Sequence, residues 1–152
     1  MKFAYVAIAA SAITAGATPS LAAAKFAPAN TNFTVTGSLS LQQSQGSTGF
    51  DCPFTFAGHV TRGGEVKIKR AAFCANVQAS GLPWIWRALS VRTGEFLMPM
   101  TLIINGFNCG LWNGDGRDEA GVLGPAGEGL SANGCLVVGG GGPSTPTITI
   151  VR

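Results

Sequence analysis

Charge is what this sequence has least of. Charged residues make up 11% of 152 positions, less than half of the ~25% usual in globular proteins, and the formal net charge is +3. Charge-driven disorder needs low hydrophobicity, so a mean hydropathy of +0.31 excludes it. A net charge this small also predicts no nucleic-acid partner. Histidine occurs once, as His59, so any acid–base machinery that relies on histidine has a single residue to use. No C-x-x-C pair occurs among the four cysteines, which removes the usual zinc and dithiol redox motifs. A long helical or heptad pattern is also missing; glycine, at 22 residues, is prominent instead.

What is present begins with an export signal. Lys2 is followed by an apolar or small-residue run from Phe3 to Ala17, then Thr18-Pro19-Ser20 and the small residues Ala22-Ala23-Ala24 before Lys25. The run is too short for a spanning helix and is followed by proline, so residues 1–24 are expected to be a cleaved signal peptide, leaving no transmembrane anchor. The expected product is a secreted protein, in the periplasm, at the cell surface or in the medium. Cys52, Cys74, Cys109 and Cys135 all lie beyond the cleavage point, where disulfides persist. Cys52 and Cys74 are equidistant from residue 63, inside the turn signal Arg62-Gly63-Gly64-Glu65, so a hairpin folded there joins them. Cys109 and Cys135 flank a glycine-rich excursion that a second bridge would close. The expected pairs are therefore 52–74 and 109–135.

Alternation with a period of two runs through Asn32–Leu41, Pro53–Thr61, Glu65–Phe73 and Trp84–Val91, and again through Thr145–Val151. Phe96–Asn105 is apolar on both parities, and Pro99 within it belongs at an edge or a bulge. Asn105-Gly106, Asn113-Gly114 and Asn133-Gly134 are turn dipeptides. Seven to nine short strands without a helical period predict one all-β domain over 25–152, an antiparallel sandwich of immunoglobulin-like or similar form, with a Gly-rich loop at 113–133. Gly139–Gly142 reads as a flexible linker before the last strand. The aromatic residues of these segments, Phe107, Trp84 and Trp86 among them, are the expected core.

Sites of chemistry are few. His59 lies in an alternating strand, where a surface histidine is the simple reading, and a secreted hydrolase would need it beside a hydroxyl and a carboxylate. Asp115, Asp118 and Glu119 are the only clustered oxygen ligands, but their spacing misses the EF-hand pattern and Arg117 takes a ligand position, so they are a poor calcium candidate and no metal or cofactor is expected. Arg62, Lys67, Lys69 and Arg70 read as the solvated face of a strand.

The order of Phe33-Thr34-Val35, Cys52, Phe54-Thr55-Phe56-Ala57-Gly58, Val66-Lys67-Ile68, Ala72-Phe73-Cys74 and Gly81-Leu82-Pro83-Trp84 resembles the PraB-type secreted proteins, called protein activators of alkane oxidation. The likeness runs from Phe33 to Trp84 and more loosely through Asn105–Gly110. It implies a secreted bacterial accessory protein that promotes growth on or dispersal of hydrocarbons, with no catalytic residues to carry over. The expected function is non-enzymatic action on a hydrophobic substrate or cell-surface component, through exposed apolar side chains drawn from Trp84, Trp86, Leu97 and Ile103. The alternative is self-association as a biofilm or pilus-like subunit, by strand addition through Asn32–Leu41 or Thr145–Val151.

Overall fold

A computed structural model describes residues 23–152. The expected signal peptide lies outside the described residues, apart from Ala23 and Ala24. The described chain forms twelve strands: β1 (Lys25–Ala27), β2 (Thr31–Gln42), β3 (Phe50–Val60), β4 (Val66–Ala72), β5 (Val77–Ala79), β6 (Trp84–Ala88), β7 (Glu95–Ile104), β8 (Phe107–Glu119), β9 (Val122–Pro125), β10 (Gly129–Leu130), β11 (Leu136–Thr145) and β12 (Thr149–Val151).

The expected sandwich is not what these strands build. Antiparallel pairing runs β11-β2-β3-β4-β6-β7-β8-β9, and β9 returns to β11 through Gly142↔Leu123 and Pro143↔Val122, so an 8-strand β-barrel closes on itself. Period-two alternation is common to both architectures; what separates them is whether the terminal strands of the sheet meet. Here they meet on β11, which holds β2 on one side and β9 on the other.

Glycine makes that double pairing possible. A β-carbon on Gly142 would collide with the Thr36 carbonyl, and one on Gly140 with the Ser38 carbonyl. Gly140 also has φ 115°, and the β11–β2 ladder shifts register between Val137 and Gly140. The run expected as a flexible linker is therefore a tight seam with a bulge that turns the corner of the barrel. The 113–133 stretch, expected as a loop, holds the end of β8 and all of β9 and β10. Two of its glycines lie under aromatic rings: Gly116 faces Phe96 across β7–β8, and Gly114 lies against the Trp112 ring. Asn113-Gly114 accordingly continues a strand, whereas Asn105-Gly106, with φ 51° and 76°, makes the expected two-residue turn between β7 and β8.

Alternation sets what faces inward. Val35, Leu39, Phe54, Phe56, Ile68, Trp84, Trp86 and the even-numbered residues of β7 from Phe96 to Ile104 are buried, while Thr34, Thr36, Thr55 and Lys67 are exposed. Apolar inside and polar outside is the reverse of a membrane-spanning barrel. Among the described residues no helix is long and apolar enough to cross a membrane. β7 buries one parity only; Leu97, Pro99 and Ile103 are half-buried on its outer face. Pro99 stands where β7 pairs with β8 alone, because β5 covers residues 102–104 and β6 covers 96 and 97.

The two ends differ. One carries the turns at 61–65 and 120–121 and is closed by the β1–β12 ribbon, whose Phe26 packs edge-on to Phe96 at 5.2 Å. The opposite end carries the loop at 43–49, the turn at 105–106 and the residues around β10. Asn32–Leu41 and the C-terminal segment are both paired within the chain, so strand addition would first have to break one of these ladders.

Two stability outcomes follow from the backbone. Gly142→Ala should cost about 3 kcal/mol in urea unfolding by overpacking against main chain, whereas Gly127→Ala, with open space around its β-carbon, should stay within about 0.5 kcal/mol. Ala120 has φ 53° in the turn before β9; Ala120→Gly should raise stability by about 1 kcal/mol through relief of the left-handed strain, read as a higher melting temperature.

Candidate functional site

The interior of the barrel is occupied by side chains. Phe56 is its hub, stacked on Phe54 at 4.3 Å and edge-on to Phe73, Trp84 and Trp86 at 5.5, 5.8 and 5.9 Å. Trp86 in turn packs on Phe96 at 5.4 Å. The Trp86 indole N–H is buried without a hydrogen-bond partner, whereas Trp84 Nε1 donates to the Ser80 carbonyl at 2.8 Å and Trp112 Nε1 to the Gly129 carbonyl at 2.9 Å. A void between Leu41, Leu102, Ile104 and Trp112 measures about 10 Å³, at the lower limit for one water molecule and far below a ligand. Recognition therefore falls to the outer surface.

Of the expected contact residues, Trp84 and Trp86 are 4% and 0% exposed and belong to the core. Inward parity on β6, which also makes them core candidates in the sequence, decides the matter. Leu97 and Ile103 do face outward, half-buried. Phe107 departs from expectation in the other direction: at 40% exposed it lies outside the core. It follows the Asn105-Gly106 turn directly, and an open cleft of about 400 Å³ places it with Leu130, Asn133, Gly134 and the polar loop residues Gln43 and Ser44. Leu130 and Leu111 are each 51% exposed. Leu111 pairs with Thr101, two residues from Ile103 on β7, so Ile103 is its diagonal neighbour on the outer wall. Sequence reasoning missed Phe107, Leu111 and Leu130 as surface residues: Leu111 shares its parity with buried Cys109 and is set outward by the register shift in the β7–β8 ladder, and the available signal was the Asn105-Gly106 turn directly before Phe107.

This end of the barrel is also where both disulfides lie. Cys52–Cys74 and Cys109–Cys135 form as expected, with Cα separations of 5.2 and 5.4 Å. The second is reinforced by local hydrogen bonds: Asn133 N–H donates to the Cys109 carbonyl, Ala132 N–H to the Leu111 carbonyl, and Cys135 N–H to Ser131 Oγ. Segment 131–135 is thus stitched along β8, and the cleft has a rigid wall. Bridges of this kind fit an oxidising, extracellular or periplasmic environment.

The other candidates are separated or engaged elsewhere. His59 Nδ1 lies 2.8 Å from Asn32 Oδ1, and its cross-strand neighbours are Asn32 and Lys67, not a hydroxyl and a carboxylate. Asp118 spends both carboxylate oxygens on backbone, accepting from Gly121 N–H at 2.8 Å and from Ile150 N–H at 2.9 Å. Glu119 lies 3.8 Å from Arg117, and Asp115 is exposed. The described residues contain no group of three or more metal-ligating side chains; Asp118 alone of the three ties the β8–β9 hairpin to β12.

The described chain is thus a closed barrel with a filled interior, stapled by two disulfides at the end that carries Phe107 and Leu130. The chain belongs to the alkane oxidation protein activator family, described as PraA/PraB-like, whose model matches residues 1–152. No curated protein and no solved structure matches it.

With its cysteines 26 positions apart in sequence, the second bridge is worth about 3.5 kcal/mol in the chain-entropy account. Replacing Cys109 and Cys135 together by serine should lower unfolding free energy by roughly that amount, measured by denaturant titration.

Proposed function

We propose that this protein is an exported, non-enzymatic accessory factor that engages apolar material, with the disulfide-bearing end of the barrel as its contact surface. The observation that carries the reading is the exposure of Phe107 and Leu130, 40% and 51%, in one open cleft. Large apolar side chains grouped on an exposed rim mark an interaction surface. Leu111 and Ile103 extend this rim down the outer wall. The outward rows of β2 and β4, by contrast, are threonine, serine, lysine and arginine. An alkane droplet asks only for apolar area, which a rigid rim supplies without ordering a flexible loop. The export-signal pattern expected at 1–24, the two bridges and the family's description support the same reading.

The test is adsorption of purified protein to hexadecane droplets, with interfacial tension recorded alongside. Half-exposed Phe107 and Leu130 should contribute about 1 kcal/mol each on burial. Replacing both by serine should therefore reduce droplet-bound protein about thirtyfold at limiting concentration while leaving the melting temperature nearly unchanged. Wild-type protein that neither adsorbs nor lowers interfacial tension would refute this function.

A further inference from the structure

Away from the disulfide end, the outer face of β4 holds a second cleft with different chemistry. The β3–β4 ladder shifts register between Ala57↔Arg70 and Gly58↔Ile68, leaving Lys69 as an extra residue in β4. A bulge of this kind re-aims side chains, and here Lys69 and Arg70, consecutive in sequence, are both exposed. They line an open cleft of about 400 Å³ together with Asn32, Thr34, Ala57 and Thr145.

The register accounts for that grouping. Arg70 pairs with Ala57, Ala57 with Thr34, and Thr34 with Thr145, so one row crosses β4, β3, β2 and β11. Strands lie about 4.8 Å apart; a guanidinium on one side and two threonine hydroxyls on the other therefore face each other over the short side chain of Ala57. Asn32 closes the cleft's lower side. Its Oδ1 accepts from His59 Nδ1 at 2.8 Å, which leaves the Nδ2 donors turned to the opposite side of the amide.

Charge in this region is uncompensated. β2, β4 and β11 contain no carboxylate, and the single one on β3, Asp51, sits at the far end and accepts from Ser40 Oγ at 2.6 Å. The ion pairs among the described residues join Arg87 to Glu65 and Arg117 to Glu119, away from the cleft. Lys67 and Arg62, next along β4 and in the turn before it, add to the same positive field.

We propose that this cleft is an oxyanion-binding site, with Lys69 and Arg70 as the cationic pair and Asn32, Thr34 and Thr145 as neutral donors to a phosphate-type group. Two guanidinium or ammonium donors beside hydroxyls and an amide form the set that recognises such groups. The phosphate can be carried by a lipid headgroup or be free in solution. The proposal is independent of the hydrocarbon reading, because it uses a different face of the barrel.

The experiment compares the protein with K69Q/R70Q and with R92Q/R152Q, which removes the same charge elsewhere. Amide resonances are followed during titration with inorganic phosphate at constant ionic strength, and co-sedimentation is measured with phosphatidylcholine vesicles containing about one-third phosphatidylglycerol. Saturable shifts confined to residues 32–34, 57, 69–70 and 145, weakened about tenfold in K69Q/R70Q and less than about twofold in R92Q/R152Q, are the expected result. Sedimentation with vesicles that follows the same ranking assigns the site to a headgroup; phosphate shifts without sedimentation assign it to a free anion. Equal weakening by both double variants, or neither phosphate shifts nor vesicle binding in the unmodified protein, would overturn the proposal.

Discussion

Everything in this molecule depends on one strand being able to accept two neighbours at once. β11 lies against β2 and β9 so closely that side chains at Gly140 and Gly142 would meet main-chain carbonyls of β2. Closure removes the free edges that an open sheet of this length would present, and it gathers the inward side chains of all eight strands around one axis. The aromatic cluster centred on Phe56 then needs no second sheet to pack against. Small and large residues alternate across the ladders to fit it, as in Phe33 opposite Gly58 and Phe54 opposite Gly37.

That seam also explains what was and was not legible in the amino-acid sequence. Strand positions, inward parity and both disulfides could be read, because alternation is local and Cys52 and Cys74 are set symmetrically about their turn. Sandwich and barrel share that alternation, so the distinction rested on Gly139–Gly142, and composition alone makes four consecutive glycines look like a linker. The same misreading made a loop of 113–133. Glycine there admits aromatic rings over the strand, a role that requires knowing which ring lies opposite, and Phe96 is twenty residues away from Gly116 in the chain. For the candidate site the pattern was similar. Trp84 and Trp86 have the hydrophobicity of a contact surface and the parity of a core, and parity prevailed. Phe107, expected inside, is set outside by the turn that immediately precedes it.

The barrel separates its surface chemistries by position. The apolar pair Phe107 and Leu130 shares a cleft at the end held by covalent bridges, while Leu89, Val91 and Val122 are exposed singly near the opposite end. Cations are grouped on β4, on a wall whose neighbouring strands offer almost no carboxylates. The acidic residues of β8 are placed differently, with Asp118 committed to main-chain donors from the β8–β9 turn and β12. A chain with so few charges thus distributes them unevenly, and a small net charge conceals a strongly asymmetric surface.

The β1–β12 ribbon couples the first strand of the described chain to the last. Lys25 stands opposite Val151, and β2 finds its outer partner only in β11. A chain delivered from its N-terminus, whether from a ribosome or through a translocation pore, therefore cannot complete these ladders until β11 and β12 arrive. Contacts this distant in sequence are slow to form, and the delay has a use: the polypeptide stays threadable while these strands are still being passed along, and the barrel locks only once β11 and β12 have emerged.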